Sequence, residues 1–251
     1  MVQASARAAL SGPTLVRLLA QLTDADVVEA RQSLPDRLSQ WLGWTDAIAL
    51  STALGGEPPG APGRGGVARD DTSLCASVRS ALTKAIAREG MLAAHPRDAR
   101  DMRDPRRVPP AAASSEPPDQ ANYADYRDYR QRYLSLQQTM ETEIGQLRAR
   151  LRTLLAAQSP AFARLAAVDA IMERSLGARE RSLLASIPVT LGAYFERLRA
   201  AEQDPPDNPD EPSAPRAWLA VFRQTMQSVL LAELEVRFQP VEGLLAALRA
   251  R

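Results

Sequence analysis

The sequence predicts an all-α protein, and three observations carry that prediction. Leucine and alanine, both strong helix formers, supply most of the apolar content, while aromatic residues make up only 5% of the 251 residues. Apolar positions recur at three- and four-residue spacing, the stripe of an amphipathic helix. Glycine and proline crowd into stretches that punctuate these periodic segments. The chain therefore divides into an N-terminal helical segment (1–54), a linker (55–71), a helix (72–90), a linker (91–120), a helical hairpin core (121–202), an acidic proline-rich linker (203–216) and C-terminal helices (217–251). The linkers are expected to be disordered, because Pro/Gly-rich and self-cancelling charged stretches bury too little apolar area to order themselves.

In the first segment Leu15, Leu18, Leu19 and Leu22 fall on one helical face, with Pro13 in the first turn, where its missing N–H costs nothing. A second helix is expected from Ser33 or Pro35, burying Leu38, Trp41, Leu42 and Ile48. The helix at 72–90 places Leu74, Val78, Leu82 and Ile86 on one face.

The hairpin is the strongest signal. Its first arm steps through Tyr126, Tyr129, Tyr133, Leu136, Met140, Ile144, Leu147, Leu151 and Leu154. Two four-residue steps adjoin at Met140, a stutter in a heptad, coiled-coil-like pattern. At about 1.5 Å per residue the arm should be on the order of 55 Å long. Ser159-Pro160 then reads as an N-cap and a first helical residue. The second arm carries Phe162, Leu165, Met172, Leu176, Leu183 and Ile187, and Asp169 falls at its edge or is buried with a partner. Pro188 is expected to end or kink this arm before a short helix with Leu191, Phe195 and Leu198.

The last segment reads as a helix bearing Leu219, Phe222, Met226, Val229 and Leu230 that stops before Pro240. A detached terminal turn follows, with Val241, Leu244, Leu245 and Leu248 on one stripe. So short a helix is marginal alone in water and must dock, on its own bundle or in a partner's groove. These four residues are the candidate partner-binding site.

Most catalytic chemistry lacks its residues. One cysteine and one histidine cannot supply a Cys/His metal site, and no disulfide can form within the chain. His95 precedes Pro96 in a linker, a poor platform for a base. Cys75 is placed in the first turn of its helix, where the macrodipole could lower its pKa, but a small apolar filler is the plainer role. No cofactor is indicated, and no carboxylate pair stands out. Glu233 and Arg237 form an i, i+4 pair worth a few tenths of a kcal/mol on a half-exposed face. The interleaving of Tyr123, Tyr126, Tyr129 and Tyr133 with Arg127, Arg130 and Arg132 resembles a grip for single-stranded nucleic acid. Residues 122–202 nevertheless carry only twelve arginines against nine acids, so tight binding to a polyanion is not expected.

Several stretches carry a family resemblance: Leu15-Val16-Arg17-Leu18-Leu19, Gln40 to Ile48 (QWLGWTDAI), Gln137-Gln138-x-Met140, and Ala232-Glu233-Leu234 running on to Arg237-x-Gln239-Pro240-Val241-Glu242-Gly243-Leu244. They resemble a proteobacterial family of helical proteins of unknown function. The resemblance implies a bacterial protein encoded beside membrane proteins with cell-wall-binding domains, and it implies no catalytic residues. The N-terminus lacks a signal-peptide run and no stretch is long and apolar enough for a membrane span, so a cytoplasmic protein without direct membrane insertion is expected. The expected role is a non-enzymatic scaffold or adaptor that takes a protein partner, a membrane protein among the candidates. A nucleic-acid-associated helical protein is the alternative.

Overall fold

A computed structural model describes residues 13–23, 33–56, 68–92, 125–203 and 217–250. Among them lie eight helices and no strand: α1 (Thr14–Thr23), α2 (Leu34–Trp41), α3 (Trp44–Gly55), α4 (Ala68–Leu92), α5 (Tyr126–Ala156), α6 (Pro160–Leu184), α7 (Ile187–Gln203) and α8 (Ala217–Arg249). The chain is all-α, as its composition predicts. Most of each expected linker, together with His95 and Tyr123, lies outside the described residues.

The core forms around α5 and α8, which pack along each other. From α5 come Tyr129, Tyr133, Leu136, Met140, Ile144, Leu147, Leu151 and Leu155. From α8 come Leu219, Phe222, Met226, Val229, Leu230, Leu234, Phe238, Val241, Leu244 and Leu248. Fully burying side chains of this size contributes roughly 1.5–3 kcal/mol each. At one end Phe222 meets Phe195 edge-on at 4.9 Å and Tyr129 at 5.2 Å between ring centroids. The helix α4 lies on α8 and α5 through Cys75, Leu82 and Ile86, while α1 lies on α7 and α8 through Leu15 and Leu22.

The helices α5 and α6 are joined by residues 157–159 and pack antiparallel. Arg148 and Arg152 of α5 meet Asp169 and Glu173 of α6, and Glu141 meets Arg181, so numbers rise along one helix as they fall along the other. Ser159 caps α6 by accepting from the Phe162 N–H at 3.3 Å, with Pro160 at the first helical position. Asp125 caps α5 in the same way, accepting from the Arg127 N–H at 2.9 Å. At 31 residues this arm is about 46 Å long, shorter than expected because the extended Asp125 cap starts it at Tyr126.

Five expectations are corrected. The helix expected across 33–48 is broken at Gly43, whose N–H takes the Asp46 carboxylate at 3.3 Å. Leu38, Trp41 and Leu42 are accordingly only half-buried, and Ile48 is 52% exposed. On α6 the expected stripe has drifted: Leu165 and Leu183 are exposed and the buried set is Ala166, Ile171 and Leu184. Ion pairs rather than leucines fill the α5–α6 seam beside Asp169, which moves the apolar face off it. The break near Pro188 falls at residues 185–186, leaving the proline in the first turn of α7, where its ring is tolerated. Cys75 sits well inside α4, which starts at Ala68, so no helix N-terminus acts on it.

Pro240 neither ends α8 nor detaches the terminal turn. The proline removes one backbone bond and strains the turn before it, about 3 kcal/mol in an isolated helix. Burial of Phe238 on one side and Val241, Leu244 and Leu248 on the other holds the helix through it.

Candidate partner-binding groove

A groove of about 860 Å³ opens between α6 and α8, with α5 as its floor. Ile144 and Gly145 lie along the floor, Leu176, Gly177, Glu180 and Leu183 form the α6 wall, and Val236, Arg237 and Pro240 form the α8 wall. Trp41 closes one margin, where the Arg179 guanidinium lies 4.4 Å over its indole ring. Because Pro240 has no N–H, the Val236 carbonyl lacks its usual partner one turn on, and both residues face the groove.

Five guanidinium groups line the groove (Arg148, Arg174, Arg179, Arg181 and Arg237) against the carboxylates of Glu141, Glu173 and Glu180. Arg148 is spent on Asp169, which it holds at 2.6 and 2.8 Å, and Arg181 reaches Glu141 at 3.1 Å. Arg174 makes no ion pair with a described residue, and Arg179 stacks rather than pairing.

Behind the α8 wall lies a buried polar cluster. The Glu233 carboxylate is wholly enclosed, at 0% exposure. It accepts from the Tyr133 hydroxyl at 2.7 Å, from Gln137 Nε2 at 3.0 and 3.1 Å, and from Arg237 Nε at 2.9 Å. Gln137 Nε2 also donates to the Leu184 carbonyl at 3.1 Å, and Arg237 Nη1 stands 3.6 Å from Glu180. Burial, then the adjoining Glu233 charge, pushes the Tyr133 phenol far above its ordinary range. Burial likewise raises Tyr126, with Arg130 opposing, to about 12. A charge taken out of water survives only with this many donors. The half-exposed i, i+4 pair expected from the sequence is thus a buried cluster joining α5, α6 and α8. The extra partners are Tyr133 and Gln137, which periodicity does not reveal because Tyr133 lies on the apolar stripe of α5 like any other aromatic.

The candidate residues at the C-terminus lie elsewhere than a free surface. Val241, Leu244 and Leu248 are buried in the core against neighbouring helices and Leu245 is half-buried, so no open stripe remains there. The three described tyrosines of the Tyr–Arg run are also committed inward. Tyr129 and Tyr133 are buried, and Tyr126 donates its hydroxyl to the Pro188 carbonyl. Exposed apolar side chains instead stand on α3, where Trp44 is 82% exposed, and singly on other helices, Leu183 of α6 and Val189 of α7 among them.

Among the described residues no group of three or more His, Cys, Asp or Glu side chains could hold a metal ion, and no helix is long and apolar enough to cross a membrane. These features define an all-α bundle with an open, arginine-lined groove. The chain belongs to a family of unknown function: residues 1–250 match the family model described as protein of unknown function (DUF3348). No curated protein and no solved structure matches it.

Proposed function

We propose that the protein is a non-enzymatic helical scaffold or adaptor, cytoplasmic in its bacterium, that holds a partner protein in a larger, membrane-associated assembly. The observation that supports this most directly is α3. Seven of its twelve residues are Trp, Ile, Leu or Ala, yet none is buried. Its half-covered positions, Asp46, Ala49, Leu50 and Ala53, recur at helical spacing on a helix that rests against α6. Trp44 and Ile48, one turn apart, project from the opposite side. An exposed tryptophan beside an exposed isoleucine is an anchor of the kind that dominates protein interfaces. The second expected class, nucleic-acid association, gains little here, because Tyr126, Tyr129 and Tyr133, which would stack on bases, are turned toward the core.

The test is quantitative affinity purification from the native host, comparing the wild-type chain with Trp44→Ser/Ile48→Ser. Both substitutions are on the surface and should leave the circular dichroism spectrum and melting temperature unchanged. A protein recovered with the wild type and lost with the double variant is the expected outcome. Identical recovery from both would refute the proposal.

A further inference from the structure

We infer that the groove between α6 and α8 receives an amphipathic helix of a partner protein, one whose apolar stripe is flanked by acidic side chains. The inference rests on the adaptor reading for the partner's being a protein, and it adds the surface and the chemistry that would recognise it.

Shape is the first argument. Two helices standing over a third leave the position that a further helix takes in a bundle, with α5 as floor. Ile144, Leu176, Leu183 and Val236 offer the apolar contacts, and Leu183 is exposed without a partner helix over it.

The second argument is Gly145. A glycine inside a helix costs about 0.5–1 kcal/mol relative to alanine. Here a Cβ would meet nothing within 4 Å, so no packing inside the protein demands its absence. The missing side chain leaves the floor low over one turn of α5, which suits the close approach of another backbone.

Charge is the third. The groove has two more guanidinium groups than carboxylates, and two of them, Arg174 and Arg179, are not engaged by a described carboxylate. Arg237 is held in place by the buried Glu233, so little side-chain entropy remains to be lost when its outer edge meets an acid. A partner helix carrying lysine along its flanks would meet these arginines with like charge.

The full-length protein would be titrated into two fluorescein-labelled peptides of about 18 residues, five helical turns, and followed by anisotropy. Both place leucine at i, i+3, i+4 and i+7; one flanks the stripe with glutamate and the other with lysine. The glutamate peptide should bind at least about tenfold more tightly. Arg174→Glu, on an exposed side chain, should narrow or reverse that preference. Gly145→Trp, which fills the floor, should abolish binding, with Gly145→Ala as the folded control that retains it; should the tryptophan variant unfold, Arg174→Glu decides alone. Equal affinity for the two peptides, no binding of either below about 1 mM, or undiminished binding by folded Gly145→Trp would overturn the inference. So would a wild-type dimer that Gly145→Trp converts to monomer, since the groove would then hold a second copy of this chain. In each of those cases the adaptor proposal still stands if Trp44→Ser/Ile48→Ser removes a native partner.

Discussion

Replacing Glu233 by alanine should be among the most damaging single changes in the molecule, although sequence spacing alone assigns its pair a few tenths of a kcal/mol. The carboxylate is fully enclosed and takes hydrogen bonds from Tyr133, Gln137 and Arg237. Its removal leaves the Arg237 guanidinium, itself buried, with Glu180 at 3.6 Å as its remaining counter-charge. Breaking a buried pair from one side costs about 3–5 kcal/mol, and the stranded Tyr133 hydroxyl adds about 1–3 kcal/mol. Gln137 keeps the Leu184 carbonyl and adds little. A loss of about 4–8 kcal/mol would consume much of a stability that in domains is typically 5–15 kcal/mol. Tyr133→Phe, which removes a donor but strands no charge, should cost only about 1.5–3 kcal/mol. Urea unfolding followed by circular dichroism would measure both, and Glu233→Ala/Arg237→Ala closes the cycle. The double variant should be less destabilised than the sum of the single ones by at least about 1 kcal/mol. If Glu233→Ala unfolds within about 1 kcal/mol of wild type, the hydrogen bonds from Tyr133 and Gln137 to the enclosed Glu233 carboxylate are not what joins α5 to α8.

Four further outcomes are expected. Gly145→Ala should stabilise the protein by about 0.5–1 kcal/mol, whereas Gly192→Ala, whose Cβ would stand 2.8 Å from the Tyr126 ring, should destabilise it by about 1–3 kcal/mol; a lowered melting temperature for the first or a raised one for the second would overturn the packing described there. Leu147→Ala should cost about 2–5 kcal/mol, and Arg148→Ala, which strips Asp169 of its forked partner, should cost about 1–3 kcal/mol rather than nothing, both read from urea midpoints. Tyr126 and Tyr133 have raised folded-state pKa values, so the stability they carry is complete below the ordinary phenol value of about 10 and falls as pH rises beyond it, between about 10 and 12 for Tyr126; Tyr126→Phe should flatten that alkaline decline in thermal melts. Deleting 240–251 removes the buried Val241, Leu244 and Leu248 and should lower the melting temperature sharply, by tens of degrees, or prevent folding.

What was legible in the sequence was local. The phase of α5 reads correctly from Tyr129 to Leu151 because one face of a long helix meets a continuous core, and only at its end does burial pass from Leu154 to Leu155. Ser159-Pro160 marks the start of α6 because cap chemistry acts within four residues. The failures share one cause, the dependence of each residue on elements far away in the chain. Pro240 looks like a stop until Phe238 and Val241 are both seen to be buried. The α6 stripe looks apolar until Arg148 and Arg152 are found facing Asp169 and Glu173. The groove was not foreseeable from periodicity, since its floor, walls and margin come from α5, α6, α8 and α2. Of the buried cluster, Gln137, Glu233 and Arg237 do lie in stretches that carry the family resemblance, but nothing in their spacing shows that they meet.

The order of the helices bears on how the protein is made. The helix α8 supplies a surface for α1, α4, α5 and α7, and it follows all of them in the chain. During synthesis Leu15, Leu22, Leu82 and Ile86 therefore emerge from the ribosome long before the leucines and phenylalanines that cover them. Closing contacts across some two hundred residues is slow relative to forming each helix. At about 5–20 residues per second, the N-terminal helices spend several seconds or more with the part of their apolar faces that α8 covers left bare. A nascent chain that ends at residue 216 should therefore aggregate more readily than the full-length chain, since the surface that α8 supplies is still missing.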